Sequence, residues 1–227
     1  MKRLNFKMKN ENLISKCAEE CRFGTCYIVG AGDFYGELSP NECDLIIAAD
    51  GGYDTLKKTN ITPNLLLGDM DSLSEMPEGI EKIVYPVRKD ETDTHLAYLE
   101  GVKRGYTDFV IFGGVGGRDD HTFANYSLLI YGKNRGHSIK IIGERCDIFA
   151  IKNESVTLSG ECGAHFSAFA FGGDAHGVTI RGLEYEAENT TLTPEFPLAV
   201  SNRFSGAECF VKVDCGTLIL MVERESV

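Results

Sequence analysis

Aspartate residues recur in this sequence just after short apolar runs. Asp50 follows the run 44–49, and Asp69 and Asp71 follow the run 64–67. If these runs are parallel strands, their carboxyl ends share one edge of a sheet, which is where open parallel sheets bind ligands. Carboxylates gathered there repel one another unless a cation joins them, and Mg²⁺ prefers carboxylate, water and phosphate oxygens. The spacing therefore predicts a magnesium site that also takes a polyphosphate.

Two further acidic pairs stand where helical patterns begin. Asp90 and Asp93 lie in a Lys-Asp-Glu-Thr-Asp segment, and Asp119 and Asp120 follow a glycine-rich segment. Each pair taken alone also fits helix capping, because an aspartate side chain accepts hydrogen bonds from free backbone N–H groups. The segment 68–72 (Gly-Asp-Met-Asp-Ser) is harder to explain in that way, since two acids two residues apart on extended backbone point to one side.

The glycine-rich segment, 113–117 (Gly-Gly-Val-Gly-Gly), leaves an apolar run and enters a helical pattern. Glycines there let backbone N–H groups approach a phosphate, and Arg118 is placed to grip phosphate oxygens, as is Lys89 unless it is simply solvated. The segment matches neither the GxGxxG nor the Walker A pattern, and such turns also arise for packing. His121 and Asn125, four residues apart, predict a substrate-facing row on one helix face, with a hydrogen-bonded first-turn histidine as the alternative.

The order of apolar runs and helical periods predicts the fold that positions these residues. Strands are predicted at 26–29, 44–49, 64–67, 109–112 and 138–142, and helices at 53–58, at 92–104 and around Phe123, Tyr126, Ile130 and Tyr131. Strands that alternate with helices indicate a mostly parallel α/β sheet with both faces covered.

After Cys146 the helical period disappears and short β-rich pieces follow. They lie at 155–158, 165–171, 178–180, 198–200, 208–213 and 217–222. Short strands separated by Gly, Pro and Asn predict an all-β, sandwich-like domain. We therefore expect an α/β catalytic domain at 1–146 and a β-sandwich domain at 147–227.

The composition excludes several classes of protein. Hydrophobic residues make up 43% of the 227 residues, which is typical of a globular chain. The net charge of −11 disfavours binding to nucleic acid or anionic membranes, and no run approaches the ~20 apolar residues of a membrane helix. Residues 1–22 lack the apolar core of a secretory signal, so we expect a cytoplasmic protein whose eight cysteines are reduced. Zinc binding through Cys17 and Cys21 is the alternative, although no CxxC pair occurs.

Four motifs in order resemble those of bacterial thiamine pyrophosphokinase (thiamine diphosphokinase). They are Ala49-Asp-Gly-Gly52, Leu67-Gly-Asp-Met-Asp-Ser72, Lys89-Asp-Glu-Thr-Asp93 and Gly116-Gly-Arg-Asp-Asp-His121 with Asn125. In the C-terminal part, Gly182-Leu-Glu-Tyr185 resembles the family's Gly-Leu-x-aromatic segment, and Val200-Ser-Asn202 resembles its Ser-Asn segment. The resemblance covers residues 25–222, and four ordered motifs are more specific than any one of them.

The resemblance implies transfer of a pyrophosphoryl group from the co-substrate ATP to the hydroxyl of thiamine, with Mg²⁺, giving thiamine diphosphate and AMP. It also implies a β-sandwich domain that binds thiamine, and a homodimer with active sites between subunits. By motif position, the catalytic residues are Asp69, Asp71, Asp93 and Asp120, of which Asp69, Asp71 and Asp93 bind the metal. The ATP-binding residues are Asp50, Gly51, Lys89, Asp90, Thr92, Gly117, Arg118, His121 and Asn125. The thiamine-binding residues are Tyr185, Ser201 and Asn202.

The chain departs from the family at the aromatic position of the thiamine site. Eukaryotic relatives offer a tryptophan there, whereas this chain contains no tryptophan and has Tyr185. An aromatic face still attracts the fixed positive charge of thiamine, at about 0.5–2 kcal/mol. Two other functions stay open: a kinase or nucleotidyltransferase acting on another small alcohol, and a nucleotide sensor without turnover. The full set of acids argues against the sensor.

Overall fold

The computed structural model describes residues 24–70 and 78–224 of the chain, and the chain divides into two compact units at the Phe149–Ala150 bond. The elements of the first unit are β1 (Cys26–Val29), β2 (Leu45–Ala49), α1 (Gly52–Thr59), β3 (Leu65–Gly68), β4 (Glu81–Val84), α2 (Asp93–Lys103), β5 (Asp108–Phe112), α3 (Asp119–Lys133), β6 (Ser138–Ile142) and β7 (Cys146–Lys152). The division falls within β7, so this strand contributes residues to both units.

The strands of the first unit form a sheet in the order β7-β6-β5-β1-β2-β3-β4. Neighbouring strands from β4 to β6 are parallel, and β7 pairs antiparallel with β6. β1 lies between β2 and β5, so the strand order reverses beside it. In open parallel sheets, ligands bind at such a reversal, beyond the carboxyl ends of the strands. The loops that follow β1, β2, β3 and β5 all leave from this edge.

Continuous apolar runs explain why the central strands form. All five residues of β2 and all four of β3 are buried, as expected for strands covered on both faces. Helix α2 packs against β1, β2 and β3, and α3 packs against β6. In α2 the fully buried ring of Tyr98 lies 4.8 Å, between ring centroids, from Phe109 of β5. This packing fixes the starts of both helices at the carboxyl edge.

The second unit is built from antiparallel strands. They are β8 (Ser155–Ser159), β9 (His165–Ala170), β10 (Ala175–Arg181), β11 (Ala187–Leu192), β12 (Asn202–Arg203), β13 (Glu208–Lys212) and β14 (Thr217–Glu223). One sheet has the order β11-β10-β13-β8, and the other contains β12-β9-β14. In β9, Phe166, Ala168 and Ala170 are buried and alternate with more exposed residues, which is typical of a strand with one face on the core.

The predicted fold class is confirmed: a mostly parallel α/β unit precedes an all-antiparallel β unit. The domain boundary between residues 146 and 147 stays a prediction. Among the described residues, no helix has the length and apolar character that crossing a lipid bilayer requires.

The strand predicted at 198–200 is wrong. These residues form a turn in which the Leu198 N–H donates to the Phe196 carbonyl at 2.9 Å. Leu198 is 61% exposed and Val200 is 40% exposed, so this apolar run lacks the packing that supports a strand. Four strands were not predicted, namely β4, β7, β11 and β12. β4 is a largely exposed edge strand, and its sequence (Glu-Lys-Ile-Val) therefore carries no apolar run.

Candidate active site

Gly68, the last residue of β3, brings predicted acids together. A Cβ atom on Gly68 would lie 3.3 Å from the Asp50 Cα and 3.4 Å from the Asp93 Oδ1. The Asp50 N–H donates to the Leu67 carbonyl at 2.8 Å, which holds the loop after β2 against the end of β3. The half-buried Asp69 follows Gly68 directly. The carboxyl end of β3 therefore lies against the Asp50 backbone and the Asp93 carboxylate, and Asp69 follows it directly.

The backbone at this point has unusual dihedral angles. Gly68 has φ +149°, Asp50 has φ +51° and Met70 has φ +64°. Residues other than glycine rarely adopt a positive φ, although aspartate tolerates the left-handed region better than most residues. Such conformations persist only where the surrounding structure imposes them, and they concentrate at functional sites. The end of β3 is thus a strained point of the sheet, in the position where ligands are expected.

The turn after β1 connects this acidic edge to the glycine-rich loop. A Cβ atom on Gly30 would lie 2.8 Å from the Gly113 carbonyl oxygen and 3.5 Å from the Thr94 Oγ1. A Cβ atom on Gly51, in the loop after β2, would lie 3.3 Å from the Ala31 Cβ. The loops after β1, β2 and β5 and the first turn of α2 therefore meet around one turn.

The glycine-rich loop, residues 113–117, has a shape that requires glycine. Gly113, Gly116 and Gly117 have φ +62°, +79° and +68°. Asn125 of α3 is 4% exposed, and its Nδ2 donates to the Gly114 carbonyl at 2.7 Å. This hydrogen bond fixes the loop against the helix that follows it.

At the start of α3, Arg118 and Asp120 form an exposed ion pair. Arg118 donates from Nε to Asp120 Oδ1 at 3.1 Å and from Nη2 to Oδ2 at 2.6 Å. The hydrogen bond from Arg118, and then that from the His121 N–H, holds the pKa of the Asp120 carboxyl below its usual range. Arg118 caps the helix without a side-chain hydrogen bond to it. This bidentate geometry of the Arg118 guanidinium also suits two oxygens of a phosphate.

At the start of α2, Lys89 pairs with Asp93. The Lys89 Nζ lies 2.6 Å from the Asp93 Oδ1, and the two side chains are 12% and 21% exposed. Thr92 is the N-cap of the helix, and its Oγ1 accepts a hydrogen bond from the His95 N–H at 3.2 Å. Asp90 is exposed on the preceding loop. A positive charge therefore stands beside the acid that faces the end of β3.

In the second unit, a buried amide holds an exposed aromatic ring. Asn202 is 3% exposed; its Oδ1 accepts from the Tyr185 N–H at 3.0 Å, and its Nδ2 donates to the Tyr185 carbonyl at 2.6 Å. The Asn202 Oδ1 also accepts from the Arg203 N–H at 2.9 Å. The side chain of Tyr185 is 73% exposed. The backbone beneath the ring is fixed, while the ring itself remains open to a ligand.

Ser201 lies next to this anchor. It has φ +59°, it is exposed, and its N–H donates to the Ser167 Oγ at 3.1 Å. The exposed apolar side chains of Phe196, Leu198 and Val200 precede it in the chain. Tyr185, Ser201 and Asn202, which were predicted from two distant segments, thus lie on adjoining backbone of one unit.

Comparison with known families decides what the two units are. Residues 37–142 match the family described as "Thiamin pyrophosphokinase, catalytic domain". Residues 155–218 match "Thiamin pyrophosphokinase, vitamin B1 binding domain". The chain belongs to the thiamine pyrophosphokinase family. Its activity is that of a thiamine diphosphokinase, and enzymes of the thiamine pyrophosphokinase family use ATP.

A bacterial relative supports this membership, and a eukaryotic structure shares the fold. Thiamine pyrophosphokinase of Bacillus subtilis is 29% identical over 188 residues, which cover 80% of this chain and 88% of that protein. A crystal structure of the B. subtilis enzyme superposes with a TM-score of 0.81 and 26% identity, covering 89% of this chain and 100% of that chain. Yeast thiamin pyrophosphokinase, at 17% identity, shares the fold with a TM-score of 0.70, covering 90% of this chain and 87% of that chain.

The structure gathers some of the predicted site residues and separates others. Asp50, Asp69 and Asp93 adjoin the end of β3, whereas Asp120 makes its contacts with Arg118 and His121. Asp71 lies outside the described residues. Gly51, Lys89, Thr92 and Gly117 belong to loops or helix starts at the carboxyl edge, and Asn125 lies in the second turn of α3. The roles assigned to all of these residues stay predictions.

Sequence reasoning missed two residues that join these loops. Thr94 faces Gly30 from the first turn of α2, and the carboxylate of Asp33 lies against Gly116. The only signal was the weak Gly-Ala-Gly-Asp turn after the first strand, because both contacts depend on how three separate loops fold together.

The described acids fit a magnesium ion of the kind that the thiamine pyrophosphokinase family implies. In residues 24–70 and 78–224, no group of three or more His, Cys, Asp or Glu side chains is arranged to hold a metal. Mg²⁺, however, usually binds one or two carboxylates and completes its shell with water and phosphate oxygens. Asp69 and Asp93 adjoin the same strand end, and Asp93 already accepts a cation, the Lys89 ammonium. The donor set is therefore suitable for Mg²⁺ bound together with a polyphosphate.

Proposed function

We propose that this chain transfers the pyrophosphoryl group of ATP to the primary hydroxyl of thiamine in a Mg²⁺-dependent reaction. A bond forms between the thiamine hydroxyl oxygen and the β-phosphorus of ATP. The bond from that phosphorus to the oxygen bridging the α-phosphorus breaks, and AMP leaves with this oxygen. The hydroxyl proton passes to a carboxylate, and the second product is thiamine diphosphate.

The observation that carries the proposal is the position of Gly68 against Asp50 and Asp93. The Asp93 carboxylate and the Asp50 backbone approach Gly68 from separate loops, within the segment that matches the family's catalytic domain. Mg²⁺ held by Asp69, Asp71 and Asp93 would neutralise charge on the phosphates. Asp93 or Asp71 orients the hydroxyl and accepts its proton, and a loose phosphoryl transition state demands little more of a base.

The nucleotide would contact the loops on either side of this acidic point. Glycines 113, 116 and 117 have no side chains of their own, and a Cβ atom on Gly117 would meet no atom within 4 Å, so a phosphate can approach the backbone there. Arg118 is exposed and makes a bidentate contact with the Asp120 carboxylate, and a phosphate can take the place of this carboxylate. Lys89 can likewise exchange Asp93 for phosphate oxygens.

Thiamine would contact the C-terminal unit at Tyr185. The ring of Tyr185 is exposed, and the Asn202 amide holds its backbone at both N–H and carbonyl. The positive charge of the thiazolium ring is attracted to an aromatic face. The vitamin B1 binding domain matched at 155–218 includes both residues.

One assay separates the proposed reaction from its alternatives. Purified protein is incubated with thiamine, ATP and MgCl₂, and the products are separated by chromatography. Equal amounts of AMP and thiamine diphosphate support the proposal. ADP with thiamine monophosphate indicates an ordinary kinase, and nucleotide binding without turnover indicates a sensor.

Substitution of single acids tests the assigned roles. Asp71→Asn and Asp93→Asn are each expected to lower kcat at least about a hundredfold, because a charge that stabilises the transition state is lost. The matched control is Asp108→Asn, which makes the same chemical change at the amino end of β5, where Asp108 accepts from the Thr107 Oγ1 at 3.0 Å. Full activity in the Asp71 or Asp93 variants, or an equal loss in the control, would contradict the assignment.

We further propose a homodimer in the cytoplasm. The exposed apolar side chains of Tyr185, Phe196 and Leu198 are suited to contact with another surface. Four cysteines of the described residues are free thiols, the state that a reducing compartment maintains; they are Cys26, Cys162, Cys209 and Cys215. Light scattering coupled to gel filtration should give twice the chain mass of 25.0 kDa, and a monomer mass would contradict the dimer.

A further inference from the structure

Residues 30–33, the turn after β1, lie along the glycine-rich loop. The N–H groups of Gly30, Gly32 and Asp33 donate to the carbonyls of Phe112, Gly113 and Val115 at 2.8, 3.0 and 3.1 Å. These three hydrogen bonds continue the pairing of β1 with β5 beyond the ends of both strands. The glycine-rich loop is therefore held along one side by the main chain of this turn.

Two aromatic rings fix the far end of the turn. Phe34 stacks on Phe112, with the ring centroids 4.9 Å apart, and Phe112 directly precedes the glycine-rich loop. Phe112 belongs to a buried apolar cluster, and the partly buried Phe34 packs against it. The turn cannot move away from the loop without breaking this contact.

The side chain of Asp33 closes against the loop at Gly116. A Cβ atom on Gly116 would overlap the Asp33 carboxylate, and Gly116 has φ +79°. The Tyr35 hydroxyl donates to the Asp33 Oδ2 at 3.1 Å, which fixes the direction of the carboxylate. The same hydrogen bond contributes, after desolvation, to a raised pKa of Tyr35, so the hydroxyl remains a donor at neutral pH.

We infer that Asp33 is a positioning residue for the nucleotide site: its carboxylate, oriented by Tyr35, sets the conformation of Gly116 and Gly117 in the loop that receives the ATP phosphates. The inference depends on the proposed function, because it assumes that the loop binds ATP. Asp33 acts through the glycine-rich loop, and the contact that matters is the one with Gly116.

Steady-state kinetics of Asp33 variants test this role. Asp33→Ala is expected to raise the KM for ATP about 5- to 10-fold, with the KM for thiamine and kcat changed less than about twofold, because a displaced loop weakens binding of the nucleotide alone. Asp33→Asn keeps the shape and the acceptor for Tyr35 and is expected to restore the KM for ATP to within about twofold of the unsubstituted protein. Glu37→Ala, an exposed acid in the same segment, is the control and should change nothing.

A double-mutant cycle distinguishes positioning through Gly116 from a direct or a merely structural role. Gly116→Ala alone should raise the KM for ATP strongly, because the new methyl group overlaps Asp33. In Gly116→Ala/Asp33→Ala the overlap with the carboxylate is removed and only the Cβ of residue 33 remains, 3.0 Å away, so the combined change should be smaller than the product of the single changes by about threefold or more.

Three outcomes would overturn the inference. They are an unchanged KM for ATP in Asp33→Ala, multiplicative effects in the double variant, and a lower melting temperature in Asp33→Ala with no change in KM. If the unsubstituted protein makes no thiamine diphosphate, the proposed function fails instead, and direct calorimetric titration of ATP into the same variants then decides the role of Asp33.

Discussion

The Lys89 ammonium lies 2.6 Å from the Asp93 Oδ1, beside the end of β3. The same carboxylate oxygen is only 3.4 Å from the position that a side chain on Gly68 would occupy. Without nucleotide, a protein cation thus neutralises the acid that we assign to the metal. In the proposed reaction, Mg²⁺ at Asp93 would compete with this ammonium, and the displaced lysine would then be available to the phosphates.

Replacement of Lys89 should separate these two effects. Lys89→Met is expected to tighten Mn²⁺ binding to the nucleotide-free protein about 3- to 10-fold, since a partly buried competing charge is removed. The same variant should raise the KM for ATP. Electron paramagnetic resonance of free Mn²⁺ measures the first effect independently of turnover. Lys58→Met, on the exposed last turn of α1, is the control, and weaker Mn²⁺ binding in Lys89→Met would contradict the competition.

The anchor of Tyr185 should respond to loss of the Asn202 amide. Asn202→Ala leaves the Tyr185 N–H and carbonyl without their partner in a partly buried position, at a cost of about 1–3 kcal/mol. For a chain of this size we expect the melting temperature to fall about 2–4 °C per kcal/mol, and the KM for thiamine to rise. Differential scanning calorimetry and initial-rate kinetics measure both. Asn134→Ala at the end of α3 should leave the KM for thiamine unchanged.

The ring of Tyr185 can be tested separately from its backbone. Because the side chain is 73% exposed, Tyr185→Ala should leave the melting temperature nearly unchanged. Loss of the aromatic face should weaken thiamine binding by about 0.5–2 kcal/mol, or roughly 2- to 30-fold, whereas Tyr185→Phe should retain most of it. Isothermal titration with thiamine gives the two affinities. Equal affinities in all three proteins would remove Tyr185 from the thiamine site.

Burial should divide the cysteines into reactive and inert groups. Cys26 is fully buried and Cys209 is 1% exposed, and desolvation raises the pKa of each thiol to about 12. Since the thiolate is the reactive species, both should resist N-ethylmaleimide in the native protein, while Cys43, Cys162 and Cys215 are exposed and should react. Peptide mapping by mass spectrometry, with and without urea, measures this. Rapid labelling of Cys26 in the native protein would contradict the prediction that burial protects this thiol.

The Arg104–Glu81 pair should make part of the stability depend on pH. Arg104 donates to the two Glu81 carboxylate oxygens at 2.6 and 3.2 Å, which lowers the pKa of Glu81 below its ordinary 4.5. A lowered acid pKa stabilises the fold above the ordinary value, and this contribution is lost as the pH falls through the lower, folded value. Glu81→Gln should therefore lower the urea midpoint at about pH 6.5 and approach the unsubstituted protein near about pH 3.

The exposed Glu78→Gln is the control for that measurement, since it makes the same change three residues earlier. Urea titrations at both pH values, followed by circular dichroism, give the midpoints. A deficit in Glu81→Gln that is the same at both pH values would mean that the pair does not titrate with folding.

The sequence predicted the sheet edge better than the contacts made there. Asp50 and Asp69 end continuous apolar runs, and such runs identify buried parallel strands, so their meeting place follows from topology. The contact of Asp33 with Gly116 depends instead on how two loops from distant segments cross, and no period in the sequence encodes that. The strand predicted at 198–200 is wrong because apolar composition alone does not show whether a segment packs against a hydrophobic core.

The pairing of Arg118 with Asp120 was also beyond the sequence. Both residues were assigned to the reaction from the family motif, one to ATP and one to catalysis. In the structure they bind each other in an exposed position, so each neutralises the charge of the other. Such ion pairs depend on the length and rotamer of each side chain, and the spacing of residues in the sequence does not determine these.

Because the turn after β1 meets residues 113–115 of the glycine-rich loop through main-chain hydrogen bonds, the shape of this surface follows from the register of β1 and β5 more than from side-chain rotamers. A ligand that settles against such a surface immobilises few torsions, so the entropic cost of binding stays low. Discrimination among nucleotides must then come from the few side chains that border this main-chain surface. Evolution of a new nucleotide preference in this scaffold would be confined to those bordering positions.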